Sequence, residues 1–350
     1  MPHQDDRHLT VSFTSYPARI RFVPATLSTL LNQSRPADRI VLYLSEDHFP
    51  RKEADLPAEL QSAQKENKLR IRWVSGDLKP HKKYIYAFRE FPDDIIVTVD
   101  DDILYAPELL QQLWQAHLRY PDAVVAGRTH LITLDKDSRP NPYGRWIHCT
   151  QGFEAGPSMQ LMAVGIAGVL YDPMLFPPEL YDEESIKALC LEADDLWLKA
   201  FEVAAGIPVV RASNPELVRT IAESQDTALY LLNQNRNRND TYFANIRSHI
   251  EKIYGKDIIT ERLSDPAWPR LEDEPSLFEF LNRDTRKILT AANSAYCREK
   301  KAAESLLKAE ETIESLNSEI TALRNSRSYR LGNRLMNPLS HLRAFFHRHR

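Results

Sequence analysis

The alternation of short β-rich runs with longer helical stretches between residues 9 and 128 constrains the fold more than any other feature of this sequence. The runs rich in β-branched and aromatic residues are 9–14, 40–44, 69–74, 95–99 and 123–126. The helical stretches between them are 24–32, 57–67, 82–90 and 107–119. This alternation predicts a doubly wound α/β domain, in which functional residues collect at the carboxyl ends of the strands.

The chain beyond residue 128 is less regular. We expect a helix near 189–205 and a strand at 208–212, in a half that covers the crevice and holds a second substrate. A proline-rich stretch at 266–275 indicates a linker. The predicted domains are therefore a catalytic domain, a linker with a helix, a heptad segment and a basic tail, over residues 1–265, 266–298, 299–325 and 326–350 respectively.

Apolar residues of the third segment repeat with heptad spacing, at Ala302, Leu306, Ala309, Ile313, Leu316, Ile320 and Leu323. The pattern leaves two structures open, a coiled coil that forms a homo-oligomer and an amphipathic helix packed on the domain.

The charge distribution limits the partners. The net charge of −4 argues against a nucleic-acid partner, but residues 324–350 contain seven Arg and no acidic residue. This tail also alternates basic and apolar residues, so it suits an anionic membrane surface, with a disordered basic tail as the alternative. The three cysteines are widely spaced and the N-terminus is polar and acidic, so we expect a cytoplasmic protein. If the tail binds lipid, the protein would lie at the inner face of the cell membrane. No apolar run is long enough for a transmembrane helix, so none is expected.

Three adjacent aspartates follow the apolar run at 95–99. Asp100, Asp101 and Asp102 repel one another unless something positive neutralises them, so this strand end is a candidate site for a hard divalent cation. Oxygen ligands favour Mg²⁺ or Mn²⁺ over zinc. The alternative is a solvated acidic turn that caps a helix.

Two other strand ends carry residues suited to a nucleotide. Asp77, in the lysine-rich segment 76–83, can accept from a ribose or base, and the lysines there can hold phosphate. After the first run, Tyr16 can stack on a base and Arg19 can reach a base carbonyl or phosphate. Ordinary loop packing is the alternative for both.

In this order, the motifs resemble those of the GT-A-fold glycosyltransferases, specifically the bacterial family 2-like enzymes that build surface polysaccharides. The segments that carry the resemblance are TSYPARI (14–20), GDLKPHKK (76–83), IIVTVDDDI (95–103), GIAGVLY (165–171) and EADDLWLKA (192–200). The resemblance implies a GT-A, Rossmann-like nucleotide-sugar transferase domain, here followed by the coiled-coil segment. It also implies a hexosyltransferase-like enzyme that uses a UDP-sugar donor and a glycan or lipid-linked acceptor.

The resemblance also implies roles for individual residues. The metal would bind Asp100 and Asp102, and the catalytic base would be Asp195 or its neighbour Asp194. The donor contacts that the resemblance implies are Thr14, Arg19, Asp77 and Lys83. Tyr16, Asp100 and Asp101 are further candidates for binding the donor. Two alternative hypotheses about function remain: the chain is a metal-dependent nucleotidyltransferase or phosphohydrolase, or it is a non-catalytic coiled-coil scaffold.

Overall fold

The structure is a computed structural model that describes residues 5–150, 154–213, 219–221, 224 and 238–267. These residues fall in the first of two compact units, Met1–Thr285. The predicted heptad segment and basic tail lie outside the described residues, as does almost all of the predicted linker.

The first half of the chain confirms the predicted alternation of strands and helices. The strands are β1 (Leu9–Thr14), β2 (Arg39–Ser45), β3 (Arg70–Val74), β4 (Ile95–Thr98), β5 (Ile103–Leu104), β6 (Val124–Ala126), β7 (Thr129–Leu131), β8 (Ile147–Thr150), β9 (Ala155–Ser158), β10 (Leu161–Ala163), β11 (Val169–Tyr171), β12 (Val209–Arg211) and β13 (Arg219–Thr220). The helices are α1 (Val23–Leu31), α2 (Ala58–Lys65), α3 (Lys82–Glu90), α4 (Leu109–Arg119), α5 (Glu183–Leu189), α6 (Asp194–Ala205), α7 (Arg238–Tyr254) and α8 (Ile258–Leu263).

Eight strands form one mixed sheet in the order β3-β2-β1-β4-β11-β6-β12-β9. Strands β1 to β4 are parallel, whereas β11 runs antiparallel to both of its neighbours, β4 and β6. A smaller antiparallel sheet has the order β10-β7-β8, and β5 pairs with β13. The fold is thus a mixed α/β, Rossmann-like sheet.

Helices cover both faces of the large sheet. Alternate residues of a strand point to opposite faces, so each face carries apolar side chains that need to be buried. In β4, Ile95 and Val97 join one apolar cluster, while Ile96 joins the other. Leucines of α1 and α4 pack in the first cluster, and aromatic residues of α3 and α6 pack in the second. The strands therefore have the nearly continuous apolar runs that the sequence shows.

Two features differ from the sequence-based expectation. The helix expected at 189–205 is divided, because α5 ends at Leu189 and α6 begins at Asp194. The predicted strands also did not include β11, an antiparallel strand that enters the sheet after Gly168 with φ +77°. No helix within the described residues is long and apolar enough to span a bilayer.

Candidate active site

Three turns meet at one edge of the large sheet. The acidic turn 100–102 follows β4 at the carboxyl ends of the parallel strands. Because β11 is antiparallel, the turn Gly165–Ala167 that precedes it reaches the same edge. The first turn of α3 and the start of α6 complete the site.

Lys83 lies at the centre of this site. Its Nζ is 3.0 Å from Asp100 Oδ1 and 3.0 Å from Asp194 Oδ2. Its backbone carbonyl accepts a hydrogen bond from Ser12 Oγ on β1 at 2.5 Å. Only 6% of the Lys83 side chain is exposed, so it acts here as an internal cation that joins the acidic turn to α6.

Gly165 leaves the space that this arrangement needs. A Cβ atom at residue 165 would lie 2.9 Å from Lys83 Nζ, closer than Cβ atoms normally approach other heavy atoms. The same Cβ would lie 3.4 Å from Asp195 Oδ1 and 3.6 Å from Asp100 Oδ1. The structure therefore brings Asp100, Lys83, Asp194 and Asp195 together around one glycine.

Asp194 and Asp195 both lie in the first turn of α6, where the helix dipole favours negative charge. Asp194 is buried and pairs with Lys83, whereas Asp195 is partly exposed and accepts a hydrogen bond from Gly165 N at 3.4 Å. The two neighbours thus face different partners.

The charges in this cluster shift the pKa values of Asp194 and Asp195 in opposite directions. Burial alone would lower the pKa of Lys83, but the carboxylates of Asp100, Asp194 and Asp195 raise it well above its usual value. Burial and the charge of Asp194 raise the pKa of Asp195 well above the usual value for an aspartate. Burial also acts to raise the pKa of Asp194, yet Lys83 outweighs it and lowers that pKa. Pairs of carboxyls with pKa values driven apart are typical of acid–base sites.

The other two aspartates of the acidic turn point toward Arg19. Asp101 Oδ1 is 3.3 Å from Arg19 Nη1, and Asp101 Oδ2 accepts a hydrogen bond from Ser15 Oγ at 2.5 Å. Asp102 forms an ion pair with Arg19 and accepts a hydrogen bond from Ser224 Oγ at 2.6 Å. Burial raises the pKa of Asp101 to about 6, and it also raises the pKa of Asp102.

The remaining predicted donor contacts have local partners in this structure. Thr14 Oγ1 donates to the Tyr43 carbonyl at 2.8 Å, and Tyr16 is half-buried in the following turn. Asp77 pairs with Lys82 and accepts from the Lys79 amide at 3.0 Å.

Several residues of the site were not predicted. Ser15 lies inside the TSYPARI segment and could have been found there, because it follows the strand that ends at Thr14. His81 and Glu192 also lie inside recognised segments, but only the fold shows which loops they join. Ser224 could not be found from the residues around it in the sequence, because its partner Asp102 lies 122 residues earlier in the chain.

The acidic turn offers few side chains to a divalent cation. Among the described residues, no group of three or more His, Cys, Asp or Glu could hold a metal ion. Mg²⁺, however, is commonly held by one or two carboxylates, with phosphate oxygens and water completing its shell. Asp100, whose side chain is 31% exposed, fits that role, whereas Asp102 would have to exchange Arg19 for the ion.

Comparison with known proteins gives one family match. Residues 15–168 match the family described as "Glycosyl transferase family 2", a stretch of less than half of the 350 residues. No protein of curated function matches the sequence.

Three solved structures illustrate the structural likeness. The first is 4-diphosphocytidyl-2C-methyl-D-erythritol synthase from Anaerococcus prevotii, with 13% identity, a TM-score of 0.39, and coverage of 65% of this chain and 96% of that one. The second is TarS 1–349 of S. aureus in complex with UDP, with 14% identity, a TM-score of 0.36, and coverage of 60% of this chain and 59% of that one. The third is glucosyl-3-phosphoglycerate synthase from Mycobacterium tuberculosis in complex with Mn²⁺, UDP and glucosyl-3-phosphoglycerate, with 13% identity, a TM-score of 0.26, and coverage of 35% of this chain and 43% of that one.

Likenesses of this size support no argument about activity, and this chain spans less than two thirds of the last two proteins. The family match is the stronger finding because it covers Arg19, Lys83, all three aspartates of the acidic turn and Gly165. The part of the chain that supplies most of the candidate site, residues 15–168, therefore matches glycosyl transferase family 2.

Proposed function

We propose that this chain is a glycosyltransferase that moves a sugar from a nucleotide-diphosphate sugar, most simply a UDP-sugar, to a glycan or lipid-linked acceptor. The observation that carries the proposal is the contact of Lys83 with both Asp100 and Asp194, which brings the acidic turn and the start of α6 to one place. The family match of residues 15–168 supports the same class of reaction. Hexosyl transfer, surface polysaccharide as the product and a peripheral membrane location stay predictions.

In the proposed reaction, an acceptor hydroxyl oxygen attacks the anomeric carbon of the donor sugar. The new carbon–oxygen bond forms as the bond to the diphosphate oxygen breaks, and the hydroxyl proton passes to the Asp195 carboxylate. The raised pKa of Asp195 makes its ionised form a stronger base than an ordinary aspartate. A single displacement of this kind inverts the anomeric configuration.

The neighbouring charges have separate tasks in this mechanism. Asp194 stays ionised, holds Lys83 and keeps a negative charge beside Asp195. Asp100 and Asp102 would hold a divalent cation, Mn²⁺ or Mg²⁺, which when bound neutralises the departing diphosphate. Arg19 stabilises the rest of the acidic turn through Asp101.

The proposal is tested by measuring nucleotide release from a panel of nucleotide sugars with Mn²⁺, with and without an acceptor glycan. A glycosyltransferase releases nucleotide faster when its acceptor is present and forms a glycosylated product. Nucleotide turnover that ignores the acceptor would instead support a nucleotidyltransferase or phosphohydrolase. No turnover with any donor would favour the scaffold reading.

The metal site is tested separately by calorimetry with UDP. We expect Asp100→Asn and Asp102→Ala each to abolish the Mn²⁺-dependent part of UDP binding while unfolding stays cooperative, because each removes a carboxylate ligand. Asp93→Asn, an exposed aspartate before β4, is the matched control and should bind as the wild type does. Wild-type Mn²⁺ dependence in Asp102→Ala would limit Asp102 to its pairing with Arg19.

A further inference from the structure

Two loops of the candidate site are joined by three contacts, and on each loop the residues that make them are spaced two apart. One loop is the lysine-rich turn 79–83 and the other is the turn 190–194 that leads into α6. The contacts are Lys79 Nζ to Glu192 Oε1 at 2.7 Å, His81 Nε2 to the Cys190 carbonyl at 3.0 Å and Lys83 Nζ to Asp194 Oδ2 at 3.0 Å. We name this set the loop clamp.

The middle contact of the loop clamp has a defined proton arrangement. A carbonyl can only accept, so Nε2 of His81 carries the proton and donates it to Cys190 O. Nδ1 of the same ring then accepts from the Tyr84 hydroxyl at 3.0 Å. Burial lowers the pKa of His81 to about 4, which agrees with a neutral ring at this place.

Glu192 connects the loop clamp to a third element. Its Oε1 accepts from Lys79, and its Oε2 accepts from Arg238 Nη1 at 3.0 Å and from the Tyr242 hydroxyl at 2.6 Å, both on α7. One carboxylate thus holds two cations and a phenol from two elements far apart in the chain. Hydrogen bonds from Lys79 and Tyr242 lower its pKa.

The chain between Glu192 and the proposed base is very short. Cys190 O also accepts from Ala193 N at 2.9 Å, which closes the turn before α6 begins at Asp194. Fixing the Glu192 carboxylate therefore fixes the first turn of α6, where Asp195 lies. Lys79 at the other end has φ +48°, a strained conformation for a non-glycine residue that is commonly kept at functional sites.

We infer that Glu192 is a positioning residue for Asp195, which it holds in place by tying the turn 190–194 to the lysine-rich turn and to α7. The kinetic part of this inference rests on the proposed function. Glu192 has no part in the proposed reaction, since Lys79, Arg238 and Tyr242 engage both oxygens of its carboxylate. Its side chain is 23% exposed, so a change there leaves the apolar core of the domain intact.

The test is Glu192→Gln. The amide keeps the size of the side chain, but its nitrogen cannot accept from Lys79 or from Arg238, so one of the two links is lost whichever way the amide turns. We expect kcat for transfer to fall about 10- to 100-fold, the loss expected when a catalytic group shifts by about 1 Å. The affinity for UDP with Mn²⁺, measured by calorimetry, should stay at the wild-type value.

Glu183→Gln is the matched control. Glu183 also accepts from a cation of another element, Arg89 Nη1 at 2.7 Å, with a similar exposed fraction of 31%, but it lies outside the loop clamp. This variant should leave kcat unchanged. If Glu192→Gln does not fold, Tyr242→Phe removes one hydrogen bond from Glu192 without changing any charge and should give a smaller fall in kcat.

A second readout separates this inference from the proposed function. Amide hydrogen exchange over residues 190–197 should be faster in Glu192→Gln and unchanged in Glu183→Gln, whether or not the wild type transfers a sugar. Unchanged exchange in Glu192→Gln would overturn the inference. Faster exchange with a wild-type kcat would overturn it as well, because the loop clamp would then not position the base.

Discussion

At the scale of single residues, Asp194 and Asp195 show how adjacent, identical side chains acquire different properties. Helix geometry directs Asp194 toward Lys83 and Asp195 toward the Gly165 amide. Opposite shifts in their pKa values follow from this difference. The partly exposed residue with the raised pKa is the better candidate for a base that must meet an acceptor.

Asp195→Asn tests this assignment. The change keeps the shape of the side chain and removes the proton acceptor, so we expect transfer to fall about 10²- to 10⁴-fold. Donor affinity in calorimetry should change little, because the base acts only when an acceptor attacks. Full activity in Asp195→Asn together with an inactive Asp194→Asn would move the base by one residue.

The pH dependence of transfer gives a second prediction. Asp195 must be ionised to act, and its raised pKa means that the rate falls with acidification at a higher pH than for an ordinary aspartate. The charged groups around Asp195 are Asp194, Lys83 and Asp100, with the Gly165 amide as its hydrogen-bond donor.

Removing one of these charges should move the profile in a defined direction. Asp194→Asn removes a negative neighbour, so the pKa of Asp195 drops and the acid limb of kcat/KM against pH shifts to lower pH. An acid limb that stays in place or shifts upward in Asp194→Asn would rule out Asp195 as the titrating group.

The residue types of the site were predictable, but their pairing was not. Adjacent carboxylates after an apolar run, and two more before a helix, were visible as patterns. Lys83 was expected to reach a phosphate, whereas the fold gives it two carboxylate partners from segments 17 and 111 residues away. A local pattern cannot show contacts of that sequence separation.

At the scale of secondary structure elements, the strands and helices of the first half, and strand β12, were predictable, whereas the short strands β7 to β11 were not. The expected strands and helices up to residue 126 appear within about two residues of their predicted ends. The strands β7 to β11 have three or four residues each, too few to show a period. Their positions depend on pairing with distant strands.

Gly168→Ala tests how far β11 depends on the turn before it. The residue has φ +77°, and a Cβ there would lie 3.1 Å from a Leu109 methyl group. We expect the free energy of unfolding to drop by about 1–3 kcal/mol in denaturant titrations, because an alanine is strained in this conformation. Gly144→Ala, where a Cβ meets nothing within 4 Å, should leave stability unchanged, and equal stability of the two variants would contradict the argument.

At the scale of the whole molecule, the sequence predicts two properties for residues beyond the described part. If the heptads at 299–325 self-associate and the basic tail binds anionic lipid, ending the chain after Pro275 should give a smaller oligomer that no longer co-sediments with anionic liposomes. Light scattering and a sedimentation assay at low salt measure the two properties. A full-length protein that is monomeric and ignores liposomes would contradict both.

The order of strands in the large sheet bears on where a stable fragment of this protein can begin and end. The family match starts after β1 and stops just before β11, yet both strands lie inside the sheet, on either side of β4. A polypeptide cut at residues 15 and 168 would leave the backbone groups of β4 and β6 unpaired along both edges and those of β2 along one. Exposed edges of apolar strands promote aggregation, so the smallest unit fit for expression has to include residues 9–14 and continue at least through β12.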